Sequence, residues 1–546
     1  MCAHPPYRSQ VLDHLGLVAG MFDELGIGDV IDQATQQDPQ TRDLTAGEAV
    51  KAMVLNGLGF VNQALYLVPL FFHHKPTYRL VSPRVFTPDK LNDDALGRTL
   101  DHLYAYGVTE LYSLVAATAA KRLGLGPTCG HLDTTSFHVD GQYNSDGEPN
   151  EKVVHITQGY SRDHRPDLNQ VMLELIVEHQ AGIPVLMQPL SGNQSDAKGF
   201  GQTVSDHIGQ LQTTLGLTYL VADSDLYSED NLELLRDTSV MWITRVPATL
   251  SQAQAALSQA TPATMAPLKP GYRYHASRAT YGGTEQRWLL IASDARRLQA
   301  QRTVMKRWLK HSEKELKAFN KLCRRSFACE ADAQQALGAF AQDLQYTTCH
   351  GPTIRSTPRY DKPGRPKADD VPKDVLYHIE GALASPLVSH AQWVTQESCF
   401  ILATNDLDEE RLSPLALFDG YQGQQRVERG FRFLKSPEFL APSLYLKKPE
   451  RIMALLMVMT VCLMVYAALE YRIRQALKDH EATFPNQKGK RVQNPTARWV
   501  FHYFMGLHLL VAPGQWPVVL NLTEEHSNLL KLLGKSYMQL YGLEYS

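Results

Sequence analysis

His131–Val139 (HLDTTSFHV), Asp167–His179 (DLNQVMLELIVEH) and Ile183–Leu190 (IPVLMQPL) are three successive runs with the apolar patterning and β-branched content of strands. Turn residues at Ala181-Gly182 and Ser191-Gly192-Asn193 punctuate them, so three adjacent, antiparallel strands are expected. A helical stretch near residues 199 to 215 leads into Leu217–Asp225 (LTYLVADSD), whose unbroken apolar centre suits a strand covered on both faces. A helix (SEDNLELLRD, Ser228–Asp237) and another strand (SVMWITRV, Ser239–Val246) follow. Three strands, then helix, strand, helix, strand is the order of an α/β sheet.

Working outward, residues 1–125 read as a helical unit. Apolar residues recur at three- and four-residue spacings in Val11–Gln33 and Thr45–Val61, Thr45 is a plausible N-cap with Glu48 three residues on, Asn92 caps a further helix, and Gly107 breaks it. The α/β pattern then occupies 126–245. Residues 246–395 interrupt it with a Gln/Ala/Thr-rich stretch, one strand at Gln286–Ser293, a strongly basic helical region and a Pro/Arg/Lys-rich loop, Ser356–Lys373. Strand-like Cys399–Asp406 (CFILATND) resumes the core in 396–470, followed by Leu412–Pro437, which reads as one helix. The tail, 471–546, reads as alternating basic and apolar helical stretches.

With 546 residues the chain is expected to hold several structural units around one centre. A formal net charge of −3 excludes a uniformly basic protein, so any nucleic-acid contact must come from local clusters of Lys and Arg. Residues 296 to 325 form one such cluster, with Glu313 and Glu315 as its only acids; a phosphate-tracking face and a merely solvated helix face both fit it. The seven scattered cysteines form no C-x-x-C pair and read as reduced thiols of a cytoplasmic protein. Ile452–Leu469 is an eighteen-residue uncharged run at the threshold of a membrane span; its isolation in an otherwise globular composition favours a buried core helix over a membrane anchor.

Carboxylates stand where open α/β sheets hold ligands, at strand ends. Asp133 lies in the first core strand, Asp223 ends the run TYLVA, and Glu428 sits on the helix after the interruption. Three carboxylates are what a two-Mg²⁺ phosphoryl-transfer site requires, because hard oxygen ligands suit the ion and two ions can flank one phosphate. Taken alone, Glu428 is equally well an exposed helical residue pairing with Arg432. Zinc spacing, a Gly-rich phosphate loop, a Cys-His nucleophile pair and a dinucleotide fingerprint are all missing from the sequence.

The strand and helix order resembles the ribonuclease-H-like fold. Five segments carry a further resemblance, to the DDE transposases of bacterial insertion sequences: HLDTTSFHVDG around Asp133, GYSRDHRPDLNQ (159–170), PLSGNQSD (189–196), VADSDLYSEDNL around Asp223 and YQGQQRVERGFRFLK around Glu428. The last is similar to the Tyr-x2-Arg-x3-Glu-x6-Lys signature of one branch: Tyr421, Glu428 and Lys435 keep its spacing, while Gln424 stands at the arginine position, with Arg426 two residues later.

This resemblance implies Asp133, Asp223 and Glu428 as catalytic and metal-binding residues using Mg²⁺, with Mn²⁺ as substitute. It implies double-stranded DNA as partner, gripped by Tyr421, Arg426 and Lys435, with Arg162 and Arg165 as further phosphate contacts. Two subunits would act on paired ends, and the N-terminal unit would recognise terminal inverted repeats, in the cytoplasm at the nucleoid. A transposase-derived DNA-binding protein that no longer cuts is the alternative.

Overall fold

The computed structural model describes residues 7–36, 44–61, 64–82, 87–126, 128–139, 143, 153–160, 165–194, 196–236, 238–361, 371–436 and 446–543. The chain divides into two compact units. The first comprises residues 1–244, 280–286 and 404–546, and the second residues 245–279 and 287–403.

The first unit opens with a short strand, β1 (Arg8–Val11), and the helices α1 (Leu15–Glu24), α2 (Ile27–Thr35), α3 (Ala46–Gly57), α4 (Asp93–Tyr106) and α5 (Val108–Arg122). The sequence cues act as expected. Thr45 and Glu48 form a reciprocal capping box at the start of α3, and Asn92 accepts from the Ala95 amide at the start of α4. Gly107, at φ +108°, divides α4 from α5 in a conformation that side chains rarely adopt.

The sheet follows as β2 (Cys129–Val139), β3 (Asn169–Glu178), β4 (Pro184–Ser191), then α6 (Asp196–Leu215), β5 (Tyr219–Ala222), α7 (Glu229–Arg236) and β6 (Met241–Arg245). Its order is β4-β3-β2-β5-β6. The first three strands are antiparallel, and β5 and β6 run parallel to β2, giving a mixed α/β sheet.

Within the second unit lie α8 (Ser251–Ser258), β7 (Ala266–Lys269), β8 (Tyr272–Tyr281), β9 (Thr284–Ser293), α9 (Asp294–Cys323), α10 (Glu330–Asp343), the hairpin β10 (Thr348–Arg359) and β11 (Asp374–Ala384), α11 (Leu387–Ser398) and β12 (Cys399–Thr404). The single strand expected at Gln286–Ser293 is one of three, because β7 and β8 precede it in the same sheet. The expected loop at Ser356–Lys373 starts inside β10: Ser356 pairs with Tyr377 and Arg359 with Asp374. β10 is exposed along most of its length and β11 has one fully buried residue, so the hairpin lacks the apolar alternation of a half-buried sheet. Two small cores hold the unit: Phe319, Leu322, Phe327, Ala333 and Ile379 in one, and Ala300, Val304 and Val394 in the other.

The chain returns to the first unit through α12 (Pro414–Gln422), α13 (Gln425–Leu434), α14 (Pro449–Asp479), α15 (Ala497–Tyr503), β13 (His508–Val511), β14 (Val518–Leu520), α16 (Glu524–Leu533) and α17 (Lys535–Leu540). The single helix expected over Leu412–Pro437 is divided at Gly423-Gln424, although both residues keep right-handed helical dihedrals and the stripe pattern continues. The apolar helix α14 is long and apolar enough to cross a membrane, but 83% of its most apolar window is buried, against α1, α3, α4, α5 and β4 among others. An all-round apolar helix inside such a bundle is a core element. The tail is not wholly helical: β13 pairs with β1 and with β14, joining the two ends of the chain in one small sheet. Tyr537 and Tyr541 lock this arrangement, donating to the Glu24 carboxylate and the Asp13 carbonyl, each at 2.6 Å.

Candidate active site

In β2, residues 131, 133, 135 and 137 share one face of the sheet. The parallel register with β5 runs from Cys129 opposite Tyr219 to His131 opposite Val221, and Asp133 and Asp223 each lie two residues beyond that last rung. The regular pairing ends at that rung, and the chain leaves β5 through Asp223, which is still extended at φ −74°, ψ −168°. Asp133 and Asp223 thus both follow the paired segment of β2 and β5, toward the carboxyl end of β5, the position where open sheets bind ligands. Each is half-buried. Asp133 accepts from the Thr134 amide at 2.8 Å and Asp223 from the Asp225 amide at 3.0 Å, while the Thr244 hydroxyl donates to the Asp223 carbonyl and ties it to β6.

The helix α13 lies along the same face. At its start Gln424 Nε2 donates to the Leu132 carbonyl at 2.8 Å, and at its end Lys435 Nζ stands 5.9 Å from the Phe137 ring centre. Eleven helical residues and five strand residues each span roughly 16 Å, so helix and strand run in step. Glu428, four residues or about 6 Å beyond Gln424, is level with Asp133 and Thr134. Position 428 shares its stripe with 421, 424 and 435.

The three carboxylates are not closed into a cluster. Glu428 is exposed and lies 3.8 Å from Arg432, one turn on. Among the described residues no group of three His, Cys, Asp or Glu side chains is close enough to share a metal ion. The donor set itself, three carboxylates with no sulfur or imidazole, is of the hard type that Mg²⁺ or Mn²⁺ takes.

Two neighbours hold this geometry: His131, which the sequence did not single out, and Gln424, which it marked only as standing at the signature's arginine position. His131 is fully buried beneath Gly423, and burial, together with the nearby Arg426 charge, lowers its pKa to about 4, so the ring is neutral at physiological pH. A neutral imidazole offers one N–H, the group that the buried Gln424 Oε1 beside it can accept. Gln424 is itself buried, with its amide turned inward to β2. Nothing in the linear sequence signals this contact, which joins positions nearly three hundred residues apart.

The remaining expected residues divide. Tyr421 and Lys435 lie on the Glu428 stripe and are half-buried. Arg426 is exposed but projects about 200° round the helix from position 424, so it does not occupy the place that Gln424 leaves. Arg165 makes a two-pronged ion pair with Asp167, at 2.9 and 2.8 Å. Arg162, with Asp163 and His164, lies outside the described residues. The buried Gln170 amide donates to the carbonyls of Tyr160 and Gly192.

Residues 125–465 match the transposase DDE domain family. The chain belongs to that family. Residues 7–117 of this DDE transposase match a domain of unknown function, DUF4277. No curated protein sequence matches the transposase. Among solved structures it is similar to the piggyBac transposase of a cryo-EM synaptic complex with hairpin DNA, at 9% identity and a TM-score of 0.35, over 91% of this chain and 82% of that one.

Proposed function

We propose that this transposase is of the bacterial insertion-sequence type, in the branch with the Tyr-Arg-Glu-Lys signature, and that it cuts at the terminal inverted repeats of a mobile element and joins the freed 3′-hydroxyls to target DNA. The observation that supports the reading is that Asp133 and Asp223 each follow the last rung of the β2–β5 pairing by two residues, while the helix carrying Glu428 is tied to β2 at Leu132 and approaches Phe137. In cutting, water attacks the phosphorus at the element end and the bond to the 3′-oxygen breaks, leaving a 3′-hydroxyl. In joining, that hydroxyl attacks a target phosphodiester and displaces the target's 3′-oxygen.

Asp133, Asp223 and Glu428 would together hold divalent metal, Mg²⁺ or its substitute Mn²⁺, which supplies activation of the attacking oxygen and neutralises the leaving one. The chain's own contribution is positioning and charge. Tyr421 and Lys435 grip the DNA end along the Glu428 stripe, Arg426 approaches from the other rim of α13, and Arg162 and Arg165 contact phosphate on the loop beyond β2. The core is read as ribonuclease-H-like, formed by 126–245 and 396–470 and interrupted by an insertion, 246–395. The N-terminal unit, 1–125, recognises the repeats, 471–546 completes the fold, and two subunits act on paired ends in the cytoplasm at the nucleoid.

A second reading, a transposase-derived protein that binds DNA without cutting it, is favoured by one observation: the Glu428 carboxylate is turned to Arg432 instead of closing on the two aspartates. One experiment separates the two. Terminal inverted repeats are located in the DNA flanking the gene and offered as duplexes with Mg²⁺. Nicking at the repeat ends supports the transposase; binding of those ends without nicking in Mg²⁺ or Mn²⁺ overturns it in favour of the binder.

A further inference from the structure

The helix α9 is thirty residues long, about 45 Å. Its inward side carries Ala300, Val304, Trp308, Phe319 and Leu322 into the cores of the second unit. Its outward side presents Arg302, Lys306, Lys310, Lys314, Lys317 and Lys321, all exposed, at three- and four-residue spacings that keep them on one stripe roughly 29 Å long.

Two acids fall inside this span, and only one belongs to the stripe. Glu313 pairs with Lys317 at 2.8 Å. Glu315 is turned inward, where its carboxylate accepts from the Gln345 and Tyr346 amides and the Thr347 hydroxyl. It caps that turn and does not neutralise the surface. Among the described residues, Arg302, Lys306, Lys310, Lys314 and Lys321 make no ion pair, and the successive pairs 302/306, 306/310, 310/314 and 317/321 set like charges one turn apart, which opposes the helix locally. The whole chain is net negative, so this stripe is a local concentration and not a share of a general excess.

We propose that the α9 stripe is a sequence-independent binding surface for double-stranded DNA, read through its phosphates and separate from the site on β2, β5 and α13. A row of cations about 29 Å long spans nearly one helical turn of duplex, and each phosphate neutralised releases counterions, so the stripe makes binding steeply salt dependent. The inference rests on the proposed transposase activity only in naming DNA as the polyanion.

The test uses the full chain and a variant with Lys306, Lys310, Lys314 and Lys321 all changed to Ala, which favours the helix and leaves its inward side untouched. Binding to a duplex lacking element ends is measured in EDTA from 50 to 200 mM salt, and cleavage of element ends is measured separately with Mg²⁺ at low salt. The expected result is a salt slope shallower by about 3 to 4, so that the fourfold rise in salt weakens the parent on the order of a hundredfold more than the variant. The matching Lys→Arg variant retains the parental slope. A parental slope in the Ala variant overturns the stripe, even if the parent cuts element ends; a reduced slope in a protein whose parent cuts nothing upholds the stripe while overturning the transposase reading.

Discussion

Gln424 Nε2 donates a 2.8 Å hydrogen bond to the main-chain carbonyl of Leu132, the residue before Asp133. The bond joins the helix carrying Glu428 to the strand carrying the first aspartate, just where the regular pairing of β2 with β5 stops. In Gln424→Leu the carbonyl is left buried and unpaired, at a cost of about 1–3 kcal/mol. Thermal unfolding should shift down accordingly, and end cleavage should fall by more than end binding, because the level of Glu428 is set by this contact. Unchanged cleavage would show that the bond does not position the helix.

Gly423 has no room for a side chain: a Cβ there would stand 2.5 Å from His131 Cε1. Since His131 is fully buried, Gly423→Ala must push α13 off β2. Overpacking of this kind costs about 1–3 kcal/mol. The double variant Gly423→Ala with His131→Ala should recover much of the lost stability, and differential scanning of the single and double variants reads that coupling directly.

Gly192 lies against the Gln170 and Thr157 carbonyls, with no space for a Cβ against that backbone. Gln170 in turn holds Gly192 and Tyr160 by their carbonyls. Gly192→Ala should therefore loosen both segments together. Limited proteolysis is expected to cut near Tyr160 faster in the variant than in the parent, and equal rates would refute the coupling.

A buried ion pair away from the site gives a pH signature. Although burial pushes the Asp406 pKa up, hydrogen bonds from Arg411 and from the Tyr219 hydroxyl outweigh it and hold the carboxyl down at about 2. A carboxylate depressed in the folded state contributes stability that is present above about pH 4 and is lost as pH falls toward 2. Arg411→Ala leaves the fully buried Asp406 side chain with less compensation, so the unfolding midpoint at neutral pH should fall. The variant's unfolding midpoint should also depend less on pH between 4 and 2.

Much of the core was legible because period and covering agree. The strands β2, β3 and β4 are apolar runs buried along most of their length and were expected as adjacent antiparallel strands, and β5 was expected as a strand covered on both faces, whereas its parallel pairing with β2 was not foreseen. Thr45, Asn92 and Gly107 announced their helix ends by chemistry alone. What escaped is what depends on distant partners. β1 is a four-residue strand whose only strand partner is β13, nearly five hundred residues away. β10 and β11 have only Ile379 fully buried and carry Pro, Arg and charged residues that read as loop. At the site, the carboxylates were visible in the sequence as strand-end and helix residues, but the register of β2 against β5 was not. The inward use of Gln424 was also hidden, because spacing to Glu428 places it on the right stripe and says nothing of the histidine it meets.

The most direct test of the central claim compares the parent with Asp133→Asn, Asp223→Asn and Glu428→Gln on duplexes bearing the element's own ends. Binding is measured in EDTA and strand cleavage in Mg²⁺. The account predicts that all three variants bind as the parent does and lose cleavage by on the order of a thousandfold or more, each removing an oxygen ligand from a shared phosphoryl-transfer site. Parental cleavage in any one of them would contradict it.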